Sequence, residues 1–287
     1  MNPGIVYDDV VRETAEALIH ASTSFRSDRI EAYLGAISVE TNPSAKWTLE
    51  TLLENAACAE KQRSPLCDDT GIPHLILETG DKRQMAGWMF EAIQSGVAKG
   101  LRELPGRPMA VMGDDAERVS QSAGLYEDPA CVIPAPIMIL PSEGEKLRLH
   151  ILMQGGGPEI RGKTYRVFHK HSVYTIVDEI VSWASEAFSL LGCTPGTLAV
   201  GIGRSHFEAS GLMLQAMTFG NFTKQNALEY EITQRVNESG VGPLGLGGKN
   251  SILATFLKVG PQRASGVRIV CMRPCCCMEP RTAYAEW

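Results

Sequence analysis

The chain has 287 residues, 44% of them apolar and 21% charged, and a formal net charge of −6. This is the make-up of a soluble globular protein, long enough for one large domain or two smaller ones and for a core that needs no covalent staples. The acidic balance argues against nucleic acid or an anionic lipid surface as the main partner, but leaves room for a small anion held by a local cluster of Arg or Lys. The opening MNPGIVYDDVVRETAEALIH carries early acids and no apolar run, so no signal peptide is expected. No stretch approaches the roughly 20 apolar residues of a membrane span. The 8 cysteines are scattered apart from a cluster near the end. That usage suits a cytoplasmic protein with reduced thiols, in which cysteines are buried fillers or metal ligands.

Helical spacing of apolar residues predicts helices over 5–21 and 28–37, then a break at Asn42-Pro43-Ser44 and a third helix over 46–61. That helix delivers the stretch Pro65-Leu66-Cys67-Asp68-Asp69-Thr70-Gly71. A cysteine favours burial and adjacent aspartates do not, so a turn at the mouth of a site reconciles them. A buried cysteine followed by a plain Asx-turn fits the segment equally well. Residues 74–79 read as a short strand, 85–101 as helix and 105–129 as irregular. Residues 131–140 and 146–153 read as two strands, and Pro141-Ser142-Glu143-Gly144-Glu145 could join them as a hairpin. Antiparallel pairing points to an α+β fold: a helical lead-in over 1–62, then mixed, largely antiparallel sheets flanked by helices over 63–287, in a single domain.

Further on, Gly155-Gly156-Gly157 follows a strand directly, the pattern of close backbone approach or of an N–H nest for an anion. It lacks the spacing of a nucleotide-binding loop. Residues 174–191 form a strong amphipathic helix ending at Gly192, and Cys193 sits between that helix and a strand over 197–200. Helices are expected over 209–217 and 226–239, strands over 251–259 and 266–272. Between them, Gly242-Pro243-Leu244-Gly245-Leu246-Gly247-Gly248-Lys249 suggests backbone wrapped around a site.

Taken together and in order, Leu53-Glu54-Asn55, the Cys67 stretch, Gly155-Gly156-Gly157-Pro158-Glu159, Cys193-Thr194-Pro195 with Gly201-Ile202-Gly203, the glycine loop at 242–249, and Cys277 with Arg281 and Ala283 form a pattern. The chain resembles the α half of class I, iron–sulfur-dependent fumarate and tartrate dehydratases, over nearly its whole length. The resemblance implies a 4Fe-4S cluster on three cysteines, with one iron left open for substrate. Cys67 and Cys193 carry over directly. Counting back from Arg281 selects Cys277 as the third ligand, counting forward from Ala264-Ser265 falls nearer Cys275, and the closer anchor favours Cys277. Cys58 and Cys131 read as packed thiols.

An open iron is a Lewis acid for the hydroxyl of a 2-hydroxy dicarboxylic acid, so the implied activity is a hydro-lyase of tartrate or malate/fumarate type. Asp69 and Asp68 are the candidate catalytic residues. Asp68, Gly156, Gly157 and Arg281 are the candidate substrate contacts, the glycines through backbone N–H groups. In this family the proton-transfer residue lies in the β half. The chain is therefore expected to be a subunit completed by a separate β chain, in an α2β2 hetero-oligomer with two copies of each.

Four positions depart from the family pattern: Asp68 for Gln, Gln154 for Lys, Arg204 for Gly, and Gln262-Arg263-Ala264 where a histidine is usual. They suggest a substrate with extra hydroxyls, or a divergent metal-binding subunit without catalysis. A zinc site lacks paired Cys-x2-Cys elements to close it. His74 reads as a satisfied core histidine, and His206 is a weaker candidate for a substitute acid that is not counted among the site residues.

Overall fold

The alternation around position 150 does what its period of two demands: Leu147, Leu149, Ile151 and Met153 all turn into one core. They lie on β3 (Leu147–Gln154) in a computed structural model that describes residues 5–287. The chain divides into two units. The first comprises the chain up to Ser24, Cys58–Gly155 and Arg281–Trp287; the second comprises Phe25–Ala57 and Gly156–Pro280.

In the first unit, β1 (Ile72–Gly80), β2 (Met138–Ser142), β3 and β8 (Arg281–Glu286) form one sheet in the order β2-β1-β3-β8. Helices α1 (Tyr7–Thr23) and α4 (Trp88–Glu103) cover its apolar face through Val10, Leu18, Ile93 and Val97. The expected hairpin of two consecutive strands does not form. β2 runs parallel to β1, with Ile76 opposite Met138, and β1 lies between β2 and β3. Periodicity fixes which face a residue occupies but not which strand it pairs with. Residues 131–137 are also not strand, because Pro134 and Pro136 have no N–H to give a ladder. Cys131 closes a 3-10 turn, Pro129–Cys131. The segment read as irregular contains α5 (Asp115–Ser120), started by an Asp114/Glu117 capping box.

In the second unit the sheet order is β4-β7-β5-β6, from β4 (Lys163–Phe168), β5 (Gly196–Gly203), β6 (Ile252–Val259) and β7 (Val267–Cys275). β5 pairs antiparallel with β7 and parallel with β6. Leu198, Val200 and Ile202 pack with Ile180 and Phe188 of α7 (Val173–Leu191) and with Ile232 and Val236 of α9 (Ala227–Asn237). Helix α8 (His206–Phe219) lies against the other face. There Gly201 is required: a Cβ on it would stand 2.0 Å from the Ala209 carbonyl oxygen and 2.3 Å from the Met213 nitrogen. The unit also contains α2 (Ser27–Val39), the short α6 (Gly156–Glu159) and the first turns of α3 (Pro43–Gln62). Asn42-Pro43-Ser44, read as a break, is the start of α3. The Asn42 side chain accepts hydrogen bonds from the Ser44 and Ala45 N–H groups, and Pro43 takes the first helical position. The α+β class, with mixed and largely antiparallel sheets, is as read from the sequence.

Candidate active site

The Cys67 loop belongs to the first unit. Leu66 N–H donates to the Ser22 carbonyl at 2.9 Å, tying the loop to the end of α1. The Thr70 hydroxyl accepts from the Arg107 N–H at 2.7 Å. The Asp69 carbonyl accepts from Arg281 Nη1 at 2.8 Å. Gly71 has φ +84°, and a Cβ there would lie 2.7 Å from Arg281 Nη2 and from the Gln154 carbonyl group, so only glycine closes this turn. Arg281 is 3% exposed, because β8 pairs it with Met153 of β3; proximity to the terminus does not make it a surface residue. Cys67 is half-buried and Asp68 exposed. Gln154 is buried as well, and its Nε2 has no hydrogen-bond partner among the described residues.

The second unit brings together Cys193 and Cys277. Thr197 of β5 stands opposite Cys275 of β7, so the residues just before β5 meet those just after β7. Cys277 N–H donates to the Cys193 carbonyl at 2.8 Å. The Cys277 thiol also donates to the Cys193 sulfur. That bond lowers the Cys193 thiol to about 6 against the opposing effect of burial, and holds the Cys277 thiol well above its ordinary value. Cys193 is exposed and Cys277 buried. The glycine loop at 242–249 supports this turn: the Thr194 hydroxyl donates to the Gly242 carbonyl at 2.6 Å, and Leu244 N–H to the Thr194 carbonyl at 3.0 Å. Cys275 differs from both. It is fully buried, burial pushes its thiol up to about 12, and Arg273 occupies its sulfur at 3.5 Å. Among the described residues, no three His, Cys, Asp or Glu side chains are gathered as a metal-holding group.

A family model for fumarate hydratase (Fumerase) matches residues 11–286. The chain belongs to the fumarate hydratase family. It is therefore a hydro-lyase, an enzyme that adds or removes water. It is 27% identical over 264 residues to a putative L(+)-tartrate dehydratase subunit alpha of Methanocaldococcus jannaschii, covering 88% of both chains. It is 22% identical over 259 residues to the L(+)-tartrate dehydratase subunit alpha of Escherichia coli K12, covering 88% of this chain and 83% of the relative. Among the described residues, no helix is long and apolar enough to cross a membrane.

Three of the four positions that depart from the fumarate hydratase pattern, Asp68, Arg204 and Gln262, have local partners. Asp68 pairs with Arg107 at 2.7 Å. Arg107 thus holds the Cys67 loop by both its backbone and its guanidinium, a role that no sequence signal in the apparently irregular 105–129 segment reveals. Arg204 pairs with Glu208 at 2.7 Å at the start of α8, and Gln262 Nε2 donates to the Gly260 carbonyl at 3.0 Å. His206, the first residue of α8, is exposed, and His74 contacts the Ile72 carbonyl at 3.1 Å. Gly157 belongs to α6, and a Cβ on it would meet nothing within 4 Å; Gly156 begins that helix. Cys58 is exposed, not packed: its α3 position faces solvent, where Gln62 bonds its sulfur at 3.3 Å. In the first unit, a groove of about 520 Å³ is lined by Glu13, Glu16, Glu60 and Glu286 and excludes the Cys67 loop. Its acid-rich wall is unsuited to a dicarboxylate.

Proposed function

We propose that this hydro-lyase is the α subunit of an iron–sulfur enzyme that reversibly removes water from a small 2-hydroxy dicarboxylic acid of tartrate or malate/fumarate type. A 4Fe-4S cluster would be held by Cys67, Cys193 and Cys277, with residues 1–287 serving as one catalytic domain in the cytoplasm. The observation that carries the reading is the Cys193–Cys277 contact, in which one thiol is already inclined to ionise. Soft thiolates are the donors that iron–sulfur clusters take. The engagement of Cys275 by Arg273 supports Cys277 as the third ligand. The relatives' names, each an alpha subunit of L(+)-tartrate dehydratase, support the substrate class and a partner subunit, which this reading takes as a β chain in an α2β2 assembly.

When bound, the cluster supplies an open iron that acts as a Lewis acid on the substrate hydroxyl. The chain's own residues supply the frame. Arg281 and Arg107 keep the Cys67 loop in a single shape, so ordering it costs little when substrate arrives. The Asp69 carboxylate would orient the substrate or relay a proton to the departing hydroxyl, so that it leaves as water. Backbone N–H groups of Gly156 and Gly157, and the Arg281 guanidinium, are the substrate contacts in this reading. The proton on the adjacent carbon goes to a base on the β chain. Asp68 accepts from an additional substrate hydroxyl and keeps Arg107 in place.

Purification without oxygen, followed by iron and sulfide analysis and a panel of hydroxy acids with the partner present, tests this reading. Iron and sulfide in near-equal amounts, with turnover that depends on the partner, are expected. Zinc without sulfide, or full turnover by this chain alone, overturns it. Asp68→Gln should change the ranking of hydroxy acids; an unchanged ranking removes Asp68 from substrate selection.

A further inference from the structure

Arg29 is 2% exposed and lies on α2 inside the second unit. Its guanidinium carbon sits 4.1 Å from the centre of the Phe25 ring, 5.6 Å from Phe222 and 5.9 Å from Tyr33. Nη2 donates to the Cys277 carbonyl and Nη1 to the Pro280 carbonyl at 3.3 Å, while Nε is buried with no partner. The Tyr33 hydroxyl donates to the same Cys277 carbonyl at 2.9 Å.

What this guanidinium lacks is an anion. Its neighbour Arg26 has Asp28 at 2.5 Å. Arg273, equally buried and also on the strand leading to Cys277, has Glu279 at 2.6 Å and Glu159 at 2.8 Å. Among the described residues, no carboxylate pairs with Arg29. Carbonyl oxygens and aromatic faces satisfy its N–H groups in part, but they do not cancel its charge. A buried charge without a counter-ion is disfavoured, and proteins normally pair or remove it. The backbone carbonyl it grips belongs to Cys277, whose sulfur meets that of Cys193. An iron–sulfur cluster on three thiolates is a net anion, and its ligands are oriented by the groups that hydrogen-bond behind them.

We propose that Arg29 is the buried counter-charge of the cluster and the positioning residue of its ligand Cys277, with Tyr33 as second donor to the same carbonyl. The proposal rests on the iron–sulfur reading above. A fixed positive charge near a cluster favours the reduced, more negative state, so Arg29 raises the reduction potential.

The test uses the full chain, purified without oxygen together with its partner subunit, as wild type, Arg29→Gln and Arg29→Lys. Iron and sulfide content, cluster midpoint potential and the unfolding temperature with and without iron are measured on each. Arg29→Gln keeps an amide donor for the carbonyl and removes the charge. Its midpoint potential should move to a more negative value, and the rise in unfolding temperature on loading should shrink. Arg29→Lys should restore most of both. A wild-type potential in Arg29→Gln, or equal destabilisation of its loaded and iron-free forms, makes Arg29 a purely structural residue and overturns the proposal. If Arg29→Gln does not fold, Tyr33→Phe takes its place, since it removes one donor but leaves the charge. A near-wild-type potential in Tyr33→Phe supports the charge as the agent, and a large negative shift overturns it. Wild-type protein without iron and sulfide refutes the underlying iron–sulfur reading instead, a result distinct from any of these.

Discussion

Gly71→Ala perturbs the Cys67 loop at the point where its geometry is least negotiable. The residue has φ +84°, and the new methyl would stand 2.7 Å from the carbonyl carbon and oxygen of Gln154. Holding an L-residue in left-handed backbone costs about 1–2 kcal/mol. Forcing a methyl against main chain that is already paired in a sheet adds roughly 1–3 kcal/mol. The expected loss is therefore about 2–5 kcal/mol, a large fraction of the roughly 5–15 kcal/mol that holds a typical domain together. Urea unfolding of the iron-free chain, with hydrogen exchange read on peptides from β1 and β3, isolates the first unit. Gly157→Ala is the control. Its Cβ meets nothing within 4 Å, so stability should stay level or rise by up to about 1 kcal/mol through the unfolded state. If Gly71→Ala unfolds within about 1 kcal/mol of wild type, less than the backbone and overlap costs together allow, the loop is not held as described. A Gly157→Ala chain of wild-type stability but impaired turnover would assign that glycine to substrate.

The His150–Glu78–Lys146 cluster gives a pH dependence. Burial lowers the His150 imidazole against the pull of Glu78. Burial alone would raise the Glu78 carboxyl, but hydrogen bonds from Lys146 and His150 outweigh it and hold the carboxyl below its ordinary value. Both folded values lie below the unfolded ones, so the unfolded chain binds more protons as acid is added. The stability they contribute is complete above the ordinary histidine value near 6.5 and falls as pH drops through the folded values. Denaturant midpoints from pH 8 to 4 should show this decline, and His150→Gln should flatten its upper part. Arg273→Met removes the cation bonded to the buried Glu279 carboxylate and should cost about 3–5 kcal/mol in urea unfolding; adding Glu279→Gln should recover part of that loss. Cys277→Ala removes the donor to Cys193, so the midpoint of the pH–alkylation curve of iron-free protein should move up from about 6 toward the ordinary thiol value near 8.5. A midpoint that stays near 6 would show that the thiol contact is not the cause.

Much of the framework around the candidate site was legible in the sequence because its elements announce themselves locally. Cys193 directly follows a helix whose end is marked by Gly192, and α7 and β3 carry unmistakable periods. Pairing was less legible. β8 reads RTAYAE, short and without a β-branched run, and only its register with β3 explains why Arg281 is buried. Arg107 lies in a segment without periodicity, and its bond to Asp68 is purely tertiary. Arg29 did leave a trace: the buried residues of α2 are Arg29, Tyr33 and Ala36, a stripe at helical spacing with a cation in it. A charged residue on an apolar stripe is a sequence signal for a buried, partnered charge, even when its partner cannot be named from sequence.

The retained positions do more structural work than their resemblance alone suggests. Each candidate ligand is fixed by contacts inside its own unit: Cys67 through the Arg281–Asp69 carbonyl bond and Arg107, Cys193 through Thr194 and the glycine loop, and Cys277 through Arg29 and Tyr33. In all three cases a hydrogen bond to or from the main chain at or beside the cysteine fixes the backbone that carries the sulfur. Arg281 shows the consequence most clearly. Its Nη1 is committed to the Asp69 carbonyl, so Arg281→Met should loosen the loop before it weakens any substrate contact. Faster hydrogen exchange at 66–71 in the iron-free, substrate-free chain would be the sign of that order. A variant with wild-type exchange and only a raised KM would instead place the arginine's main role at the substrate.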